Sequence, residues 1–221
     1  YKGSRAGSMR PILQVALDFT SLEEAFRVAE AAVNGGADWL EIGTPLIKSV
    51  GISAVKTIAK RFPKITIVAD MKTVDTGYLE ARMAVIHGAR VVTVLGLASD
   101  RTIKEAADAA HEYNAKLMVD LMLVRDLRKR AEEVVALGAD YVLLHIGKDV
   151  QKDGLTPLTL LREIANAVDV PVAVAGGLSA LTAPMAVKAG AKIVVIGSAI
   201  SSAPDPETAT RKIREALDSA I

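Results

Sequence analysis

The hydrophobic positions of this chain fall into short apolar runs that recur at a regular interval. Most runs follow a corner in which Gly or Asn precedes Ala and a charged residue, and these corners repeat about every 26 residues or at twice that spacing. Glycine or asparagine at such a corner supplies the left-handed residue that ends a helix. Each corner therefore predicts a helix end followed by a strand. The corners are Gly36-Ala37-Asp38, Gly88-Ala89-Arg90, Asn114-Ala115-Lys116, Gly138-Ala139-Asp140 and Gly190-Ala191-Lys192.

The apolar runs predict eight strands, with helical spacing in the segments between them. The predicted strands are Ile12–Leu17, Trp39–Ile42, Ile65–Ala69, Val91–Leu95, Lys116–Val119, Tyr141–Leu144, Val172–Ala175 and Ile193–Ile196. A βα unit repeated eight times over roughly 210 residues closes into a barrel, so we expect a single-domain α/β fold of the (β/α)8 TIM-barrel type. An open doubly wound sheet is the alternative, but the chain lacks its dinucleotide-binding glycine fingerprint.

The first ten residues stand apart from this pattern. They are mostly small and polar and show no hydrophobic periodicity. We therefore interpret residues 1–10 as a tag remnant, or as a linker from a fused catalytic domain in the native protein. Residues 11–221 are expected to form the catalytic barrel.

Composition narrows the function classes. Hydrophobic residues make up 51% of the chain and aromatic residues only 4%, which suits parallel strands covered by helices on both sides. A formal net charge of +1 argues against a nucleic-acid partner, and the absence of Cys excludes disulfides and thiolate chemistry. The apolar runs are too short to cross a membrane, and no signal segment is evident. A cytoplasmic protein is the expectation.

Polar residues at the ends of the predicted strands are the candidate chemistry. In a (β/α)8 barrel the active site lies at the carboxyl ends of the strands. Carboxylates are rarely buried unless they are paired or bound to metal, so their concentration at these ends predicts an active site. The residues are Asp18, Glu41, Asp70, Lys72, Asp75, Asp120 and His145.

Residue types suggest roles for several of these side chains. Glu41 and Asp70 are hard oxygen ligands on adjacent strands, which suits Mg²⁺. Lys72 shares a face with Asp70 if the strand continues, and neighbouring carboxylates should keep it cationic. A fixed cation beside Mg²⁺ would stabilise an enediolate, and His145 is the candidate general base. Asp120 is either a substrate contact or a support for Lys72.

Glycines after the last two strands predict a phosphate site. Gly176 and Gly177 follow the seventh strand, and Gly197 and Ser198 follow the eighth. Loops at these two places often bind phosphate through backbone N–H groups, which glycine allows a ligand to approach closely. The expected ligand therefore carries a phosphate group.

Several stretches carry a family resemblance. LQVALD, LEIGTPLIK, IVADMKT, VTVLG, MVDL and VAVAGGL resemble the 3-hexulose-6-phosphate synthases of the orotidine-5′-monophosphate decarboxylase superfamily, over the whole barrel from Ile12. The D-x-K-x-x-D element at Asp70, Lys72 and Asp75 is the most specific part, and an H-x-G-x-D-x-Q element begins at His145. The resemblance implies Mg²⁺-dependent condensation of formaldehyde with D-ribulose 5-phosphate to D-arabino-hex-3-ulose 6-phosphate, or the reverse cleavage.

The resemblance also implies roles and an assembly. Glu41 and Asp70 correspond to metal ligands, and Lys72 to an electrostatic stabiliser. Asp18 corresponds to a contact of substrate and Lys72, and His145 to a proton-transfer group. In addition it implies a homodimer in which Asp75 enters the partner's active site.

Two related activities and a non-catalytic role are the alternatives. Orotidylate decarboxylases have a lysine where this chain has Glu41, which argues against them. 3-Keto-L-gulonate-6-phosphate decarboxylases usually carry arginine and glutamate where this chain has Ser198 and Asp120. One departure from the synthases is Ile146, where they mostly have threonine. A barrel that only binds sugar phosphate would not need a buried cluster of charges.

Overall fold

The computed structural model describes residues 9–146 and 157–221, and within them eight parallel strands form a closed barrel. The strands follow one another around the barrel in chain order, and β1 closes the ring by pairing with β8. The predicted (β/α)8 fold is confirmed. Gly147, Asp149 and Gln151 of the H-x-G-x-D-x-Q element lie outside the described residues. Among the described helices, none is both long enough and apolar enough to cross a bilayer.

The strand bounds agree closely with the apolar runs. The strands are β1 Ile12–Leu17, β2 Trp39–Ile42, β3 Thr66–Thr73, β4 Val91–Leu95, β5 Lys116–Asp120, β6 Tyr141–His145, β7 Val172–Ala175 and β8 Ile193–Ile196. β5 and β6 are each one residue longer than predicted and end on Asp120 and His145, because these polar residues still pair in the sheet. β3 begins one residue later than predicted and continues four residues further, to Thr73.

Helices fill the segments between the strands. They are α1 Leu22–Gly35, α2 Thr44–Val50, α3 Ser53–Arg61, α4 Gly77–Ile86, α5 Asp100–Glu112, α6 Leu127–Ala136, α7 Pro157–Ala167, α8 Ala183–Lys188, α9 Ser198–Ser201 and α10 Pro206–Asp218. Ser21 caps α1 by accepting from the N–H of Glu24, and Asp205 caps α10 in the same way with Thr208. These caps satisfy N–H groups that the helices leave unpaired.

The repeated corners behave as the sequence predicts. Their first residues all have positive φ, from 56° at Asn114 to 116° at Gly190. Where the corner ends in aspartate, the side chain also bonds the preceding strand: Asp38 accepts from the N–H of Leu13, and Asp140 from that of Leu117. These two corners therefore join a helix end to the barrel wall through a side chain.

The apolar side chains form two cores. One fills the space between the strands and the surrounding helices, and a smaller one, with Val68, Met118 and Ile193 among its members, fills the inside of the barrel. Trp39 and Tyr141, the first residues of β2 and β6, meet edge to face with ring centroids 5.6 Å apart. This aromatic pair lies at the amino-terminal end of the barrel, and the polar strand ends lie at the opposite end.

Arg10 connects the start of the described chain to the barrel. Its guanidinium donates two hydrogen bonds of 3.0 Å to Asp218 and lies 3.5 Å from Asp38. Arg214, which is 5% exposed, donates to Asp38 and Asp218 as well. Arg10 lies within the predicted terminal remnant, yet it contacts the corner before β2 and the end of α10.

Candidate active site

A cavity of about 510 Å³ opens at the carboxyl end of the strands. It contains most of the predicted site residues: Asp18, Glu41, Asp70, Lys72, His145, Gly176, Gly177, Gly197 and Ser198. These residues are up to 180 positions apart in sequence, and only closure of the barrel brings them together. Asp120 and Asp75 do not line the cavity.

Asp70 and Lys72 reach the cavity through an irregular end of β3. The register of β3 with β4 shifts between Ala69 and Thr73, and Lys72 has a φ of 45°. The regular alternation of side chains between the two faces of β3, which predicts that Asp70 and Lys72 share a face, is therefore interrupted. Lys72 Nζ nevertheless lies 3.2 Å from Asp70 Oδ2, so the two side chains form the expected pair.

Lys72 is held by a second carboxylate from β5. Its Nζ donates a 2.7 Å hydrogen bond to Asp120 Oδ2. Burial by itself lowers the pKa of Lys72, but the charges and hydrogen bonds of Asp70 and Asp120 outweigh it and hold the pKa above its ordinary value. Lys72 is therefore a permanent cation in the cavity wall, as the sequence predicts.

Asp120 lies behind the cavity wall and contacts two of its residues. The carboxylate is fully buried, and its Oδ1 accepts from the N–H of Met122 and lies 3.0 Å from His145 Nε2. The His145 contact is at ion-pair distance without the direction of a hydrogen bond. Burial raises the pKa of Asp120, but His145 and Lys72 outweigh this and lower it. This position favours a support for Lys72 over a direct substrate contact.

Three carboxylates lie together on the other side of Lys72. Burial raises the pKa of Glu41 well above its ordinary value, and the negative charges of Asp70 and Asp18 raise it further. Burial, followed by the charge of Asp70, also raises the pKa of Asp18. Glycine is required at position 43, because a Cβ there would lie 2.7 Å from the backbone O of Leu17 as well as 2.1 Å from Asp18 Oδ1. A cluster of carboxylates in which burial and neighbouring charge raise the pKa of Glu41 and Asp18 is typical of a site completed by a cation.

The donor set fits a hard divalent cation bound jointly with a ligand. No group of three or more His, Asp or Glu side chains among residues 9–146 and 157–221 is arranged to hold a metal ion alone. Mg²⁺ commonly takes only one or two carboxylates and completes its octahedron with water and substrate oxygens. Glu41 and Asp70 meet that smaller requirement. Gln14, fully buried beneath them, donates a 2.7 Å hydrogen bond to Glu41 Oε1 and so fixes its orientation.

The predicted phosphate loops face the cavity from β7 and β8. Gly176 and Gly177 have φ values of 102° and 65°, a conformation that other residues adopt only with strain. A Cβ at Gly177 or Gly197 would meet nothing within 4 Å, so the space beside these backbones is open. Successive glycine N–H groups beside an open cavity are a common arrangement for binding an anion.

Asp75 is exposed and lies outside its own cavity. Its Oδ1 accepts from the adjacent N–H of Thr76, and α4 begins without a side-chain cap. Capping of α4, the ordinary structural role for such an aspartate, is therefore not observed. The side chains of Val74, Leu79 and Ile86, the last at the end of α4, are apolar, and each is more than half exposed.

Four residues of the site were not recognised in the sequence. Thr44 and Met122 line the cavity, and Thr44 Oγ1 donates to the backbone O of Asp70 at 2.7 Å. Thr93 bonds both Asp70 and Lys72, and Gln14 bonds Glu41. Gln14 and Thr93 are each the only polar residue in a five- or six-residue strand that is otherwise apolar. A single polar residue within an apolar strand is the sequence feature that could have identified these two residues.

Comparison with known proteins agrees with this geometry. The model of the orotidine 5′-phosphate decarboxylase / HUMPS family matches residues 11–213. The chain belongs to this family. It is 39% identical to a 3-hexulose-6-phosphate synthase of Staphylococcus aureus (strain USA300), over 93% of this chain and 98% of that protein.

Solved structures lead to the same family members. A crystal structure of a 3-hexulose-6-phosphate synthase is 42% identical with a TM-score of 0.85, covering 93% of this chain and 99% of its own. KGPDC from Streptococcus mutans in complex with D-R5P is 27% identical with a TM-score of 0.87, covering 96% and 99%. The similarity to the synthases supports an enzyme of the same lyase type and favours that activity over the decarboxylases of the family.

Proposed function

We propose that this enzyme catalyses the Mg²⁺-dependent aldol condensation of formaldehyde with D-ribulose 5-phosphate, giving D-arabino-hex-3-ulose 6-phosphate, and the reverse cleavage. The observation that carries the proposal is the position of Lys72 between Asp70 and Asp120, in a cavity shared with Glu41 and His145. A fixed cation opposite an imidazole is the arrangement needed to form and stabilise an enediolate. The similarity to named synthases supports the same chemistry.

His145 exchanges the proton in this mechanism. It removes a proton from C1 of ribulose 5-phosphate, and the electron pair left behind forms the enediolate. Asp120, whose Oδ1 lies 3.0 Å from Nε2, would hold the imidazole ring in place for this exchange. C1 then forms a bond to the formaldehyde carbon, and the formaldehyde oxygen takes up a proton to become the new hydroxyl group. The new carbon becomes C1 of the product, so the ketone moves from C2 to C3.

Lys72 stabilises the charge that develops on the enediolate oxygens. Its ammonium group is fixed by two carboxylates, so no reorganisation is needed when the charge forms. Asp18, which also lines the cavity, carries a raised pKa and would hydrogen-bond a substrate hydroxyl. These residues thus bind and orient the reacting end of the sugar.

Glu41 and Asp70 are the residues that would hold Mg²⁺. When bound, the ion supplies Lewis-acid polarisation of the ketone oxygen and acidifies the C1 protons. Gln14 and Thr44 hold these two carboxylates in place through hydrogen bonds to Glu41 Oε1 and Asp70 Oδ2. The raised pKa of Glu41 is consistent with a site that a cation would complete.

The sugar phosphate would bind with its phosphate at the glycine loops. Gly176, Gly177, Gly197 and Ser198 are on the β7 and β8 side of the cavity, and Lys72 comes from β3. This separation places the phosphate away from the reacting carbon. The complex of the KGPDC relative with D-R5P supports a sugar phosphate in a cavity of this kind.

We also propose a homodimer with shared active sites. Val74 and Leu79, which flank Asp75 in the sequence, and Ile86 at the end of α4 are exposed apolar side chains, and burying them against a second copy would be favourable. Asp75 is exposed, and among the described residues its side chain bonds the adjacent N–H of Thr76, which suits a residue that enters a partner's cavity.

The test is formaldehyde consumption by the purified protein. Wild-type protein with Mg²⁺ and D-ribulose 5-phosphate should consume formaldehyde, and EDTA should stop it. A parallel reaction with 3-keto-L-gulonate 6-phosphate scores CO₂ release, which would indicate the alternative decarboxylase. Asp70→Ala should abolish turnover while the circular dichroism spectrum stays that of a folded barrel. Turnover in EDTA equal to that in Mg²⁺ would reject the metal assignment.

A further inference from the structure

The backbone at Lys72 is held in a conformation that its side chain disfavours. Its φ of 45° lies in the left-handed region, where the Cβ of an L-residue is strained. Here β3 also shifts its register against β4. Such a conformation persists only where neighbouring groups fix it. A specific contact must therefore stabilise the backbone that directs Lys72 toward Asp70 and Asp120.

The hydroxyl group of Thr93 supplies that contact. Thr93, in the middle of β4, accepts a 3.0 Å hydrogen bond from the backbone N–H of Lys72. The same hydroxyl donates a 2.7 Å hydrogen bond to Oδ1 of Asp70. Thr93 is 1% exposed and does not line the cavity, so it touches neither solvent nor substrate.

One hydroxyl group thus joins the two functional residues. Its single proton is committed to Asp70, so a lone pair faces the N–H of Lys72. The carboxylate and the strained backbone therefore constrain each other. Thr44 also holds Asp70, but its contacts are to the backbone O and Oδ2. The hydrogen bond to Oδ1 of Asp70 and the hydrogen bond from the backbone N–H of Lys72 are the ones that Thr93 makes.

We propose that Thr93 is a positioning residue for catalysis, whose hydroxyl fixes the left-handed backbone of Lys72 and the carboxylate of Asp70 in one arrangement. The inference rests on the proposed function for its kinetic consequence. The structural part, that the Thr93 hydroxyl holds the Lys72 N–H, can be measured without substrate.

The kinetic test compares two threonine-to-valine variants. Thr93→Val keeps the side-chain shape and removes both hydrogen bonds, so kcat should fall between about 10- and 100-fold, because small misplacements of catalytic groups are costly. KM for ribulose 5-phosphate should stay within about threefold, since Thr93 does not contact the cavity. Thr93→Ser should recover kcat to within about threefold. Thr210→Val is the matched control: Thr210 is fully buried and bonds the carbonyl of Pro206 in α10. Its kcat should be unchanged.

A second measurement is independent of activity. Hydrogen exchange of the Lys72 amide, followed by NMR on the complete protein, should accelerate at least about tenfold in Thr93→Val and remain near wild type in Thr93→Ser. If wild type consumes no formaldehyde, the proposed function fails, and this measurement alone decides the role of Thr93. If Thr93→Val does not fold, Thr93→Ser and Thr93→Ala replace it, because that pair differs only in the hydroxyl group. Unchanged kcat and unchanged Lys72 exchange on loss of the hydroxyl would overturn the proposal.

Discussion

Replacing Asp120 by asparagine tests how the Lys72 cluster works. Asp120 is fully buried and contacts three groups: Lys72 Nζ at 2.7 Å, His145 Nε2 at 3.0 Å and the N–H of Met122 at 2.9 Å. Asparagine has the same shape, and its carbonyl can still accept from Met122. The substitution therefore removes the charge while keeping the packing.

The contacts of Asp120 set the expected size of the effect. Removing one partner of a buried ion pair typically costs about 3–5 kcal/mol. Lys72 keeps Asp70 at 3.2 Å, and its side chain is 28% exposed, so we expect a smaller loss of about 2 kcal/mol. For a protein of this size that lowers Tm by about 4–8 °C. We expect kcat to fall about 100-fold, because both Lys72 and His145 lose their support.

Steady-state kinetics and thermal unfolding check these values. KM for ribulose 5-phosphate should stay within about threefold, because Asp120 is not in the cavity wall. Asp140→Asn is the matched control: Asp140 contacts His111, Lys116 and the N–H of Leu117 at the opposite end of the barrel, so kcat should not change. A raised KM with unchanged kcat in Asp120→Asn would show that Asp120 binds substrate, and our interpretation would be wrong.

The stability difference between wild type and Asp120→Asn should also depend on pH. The pKa of Asp120 is lowered in the folded protein, so its contribution is present above the ordinary pKa of 3.8 and lost as pH falls through the lowered value. The pKa of Lys72 is raised in the folded protein, so the contribution of Lys72 to stability is present below its ordinary pKa of 10.5 and is lost as pH rises above that value. The difference should therefore shrink at acid pH, as Asp120 becomes protonated.

Three further predictions address the metal, the dimer and the phosphate. Glu41→Gln should raise Tm in EDTA by several degrees at pH 7 and leave Tm unchanged near pH 4. The pKa of Glu41 is raised in the folded protein, so this residue contributes to stability below its ordinary pKa, and that contribution is lost as pH rises. Equal Tm shifts at both pH values, measured by scanning fluorimetry, would contradict this. Mixing inactive Asp70→Ala and Asp75→Ala under subunit exchange should restore about a quarter of the sites if sites are shared in a dimer; no recovery despite exchange would place each site within one chain. Crystals grown with sulfate should show the anion at Gly177 and Ser198, and an empty pocket with sulfate elsewhere would count against a phosphate ligand.

The sequence by itself determined the barrel and most of its polar strand ends. Each corner, such as Gly36 or Gly138, is a local signal, because positive φ and helix termination depend on a few adjacent residues. The apolar runs between corners are also local, so five of the eight strands have the predicted bounds. In a barrel the carboxyl ends of all strands lie at one end, so residues such as Asp18 and Glu41 line the same cavity regardless of their separation along the chain.

Only the tertiary structure decided how those residues meet. The irregular end of β3 depends on Thr93 in β4, and no property of the Lys72 segment alone predicts a left-handed residue there. Buried Asp120 contacts Lys72 and His145, which come from β3 and β6. Side-chain alternation is a rule for a single strand, whereas hydrogen bonds between strands determine where that rule is broken.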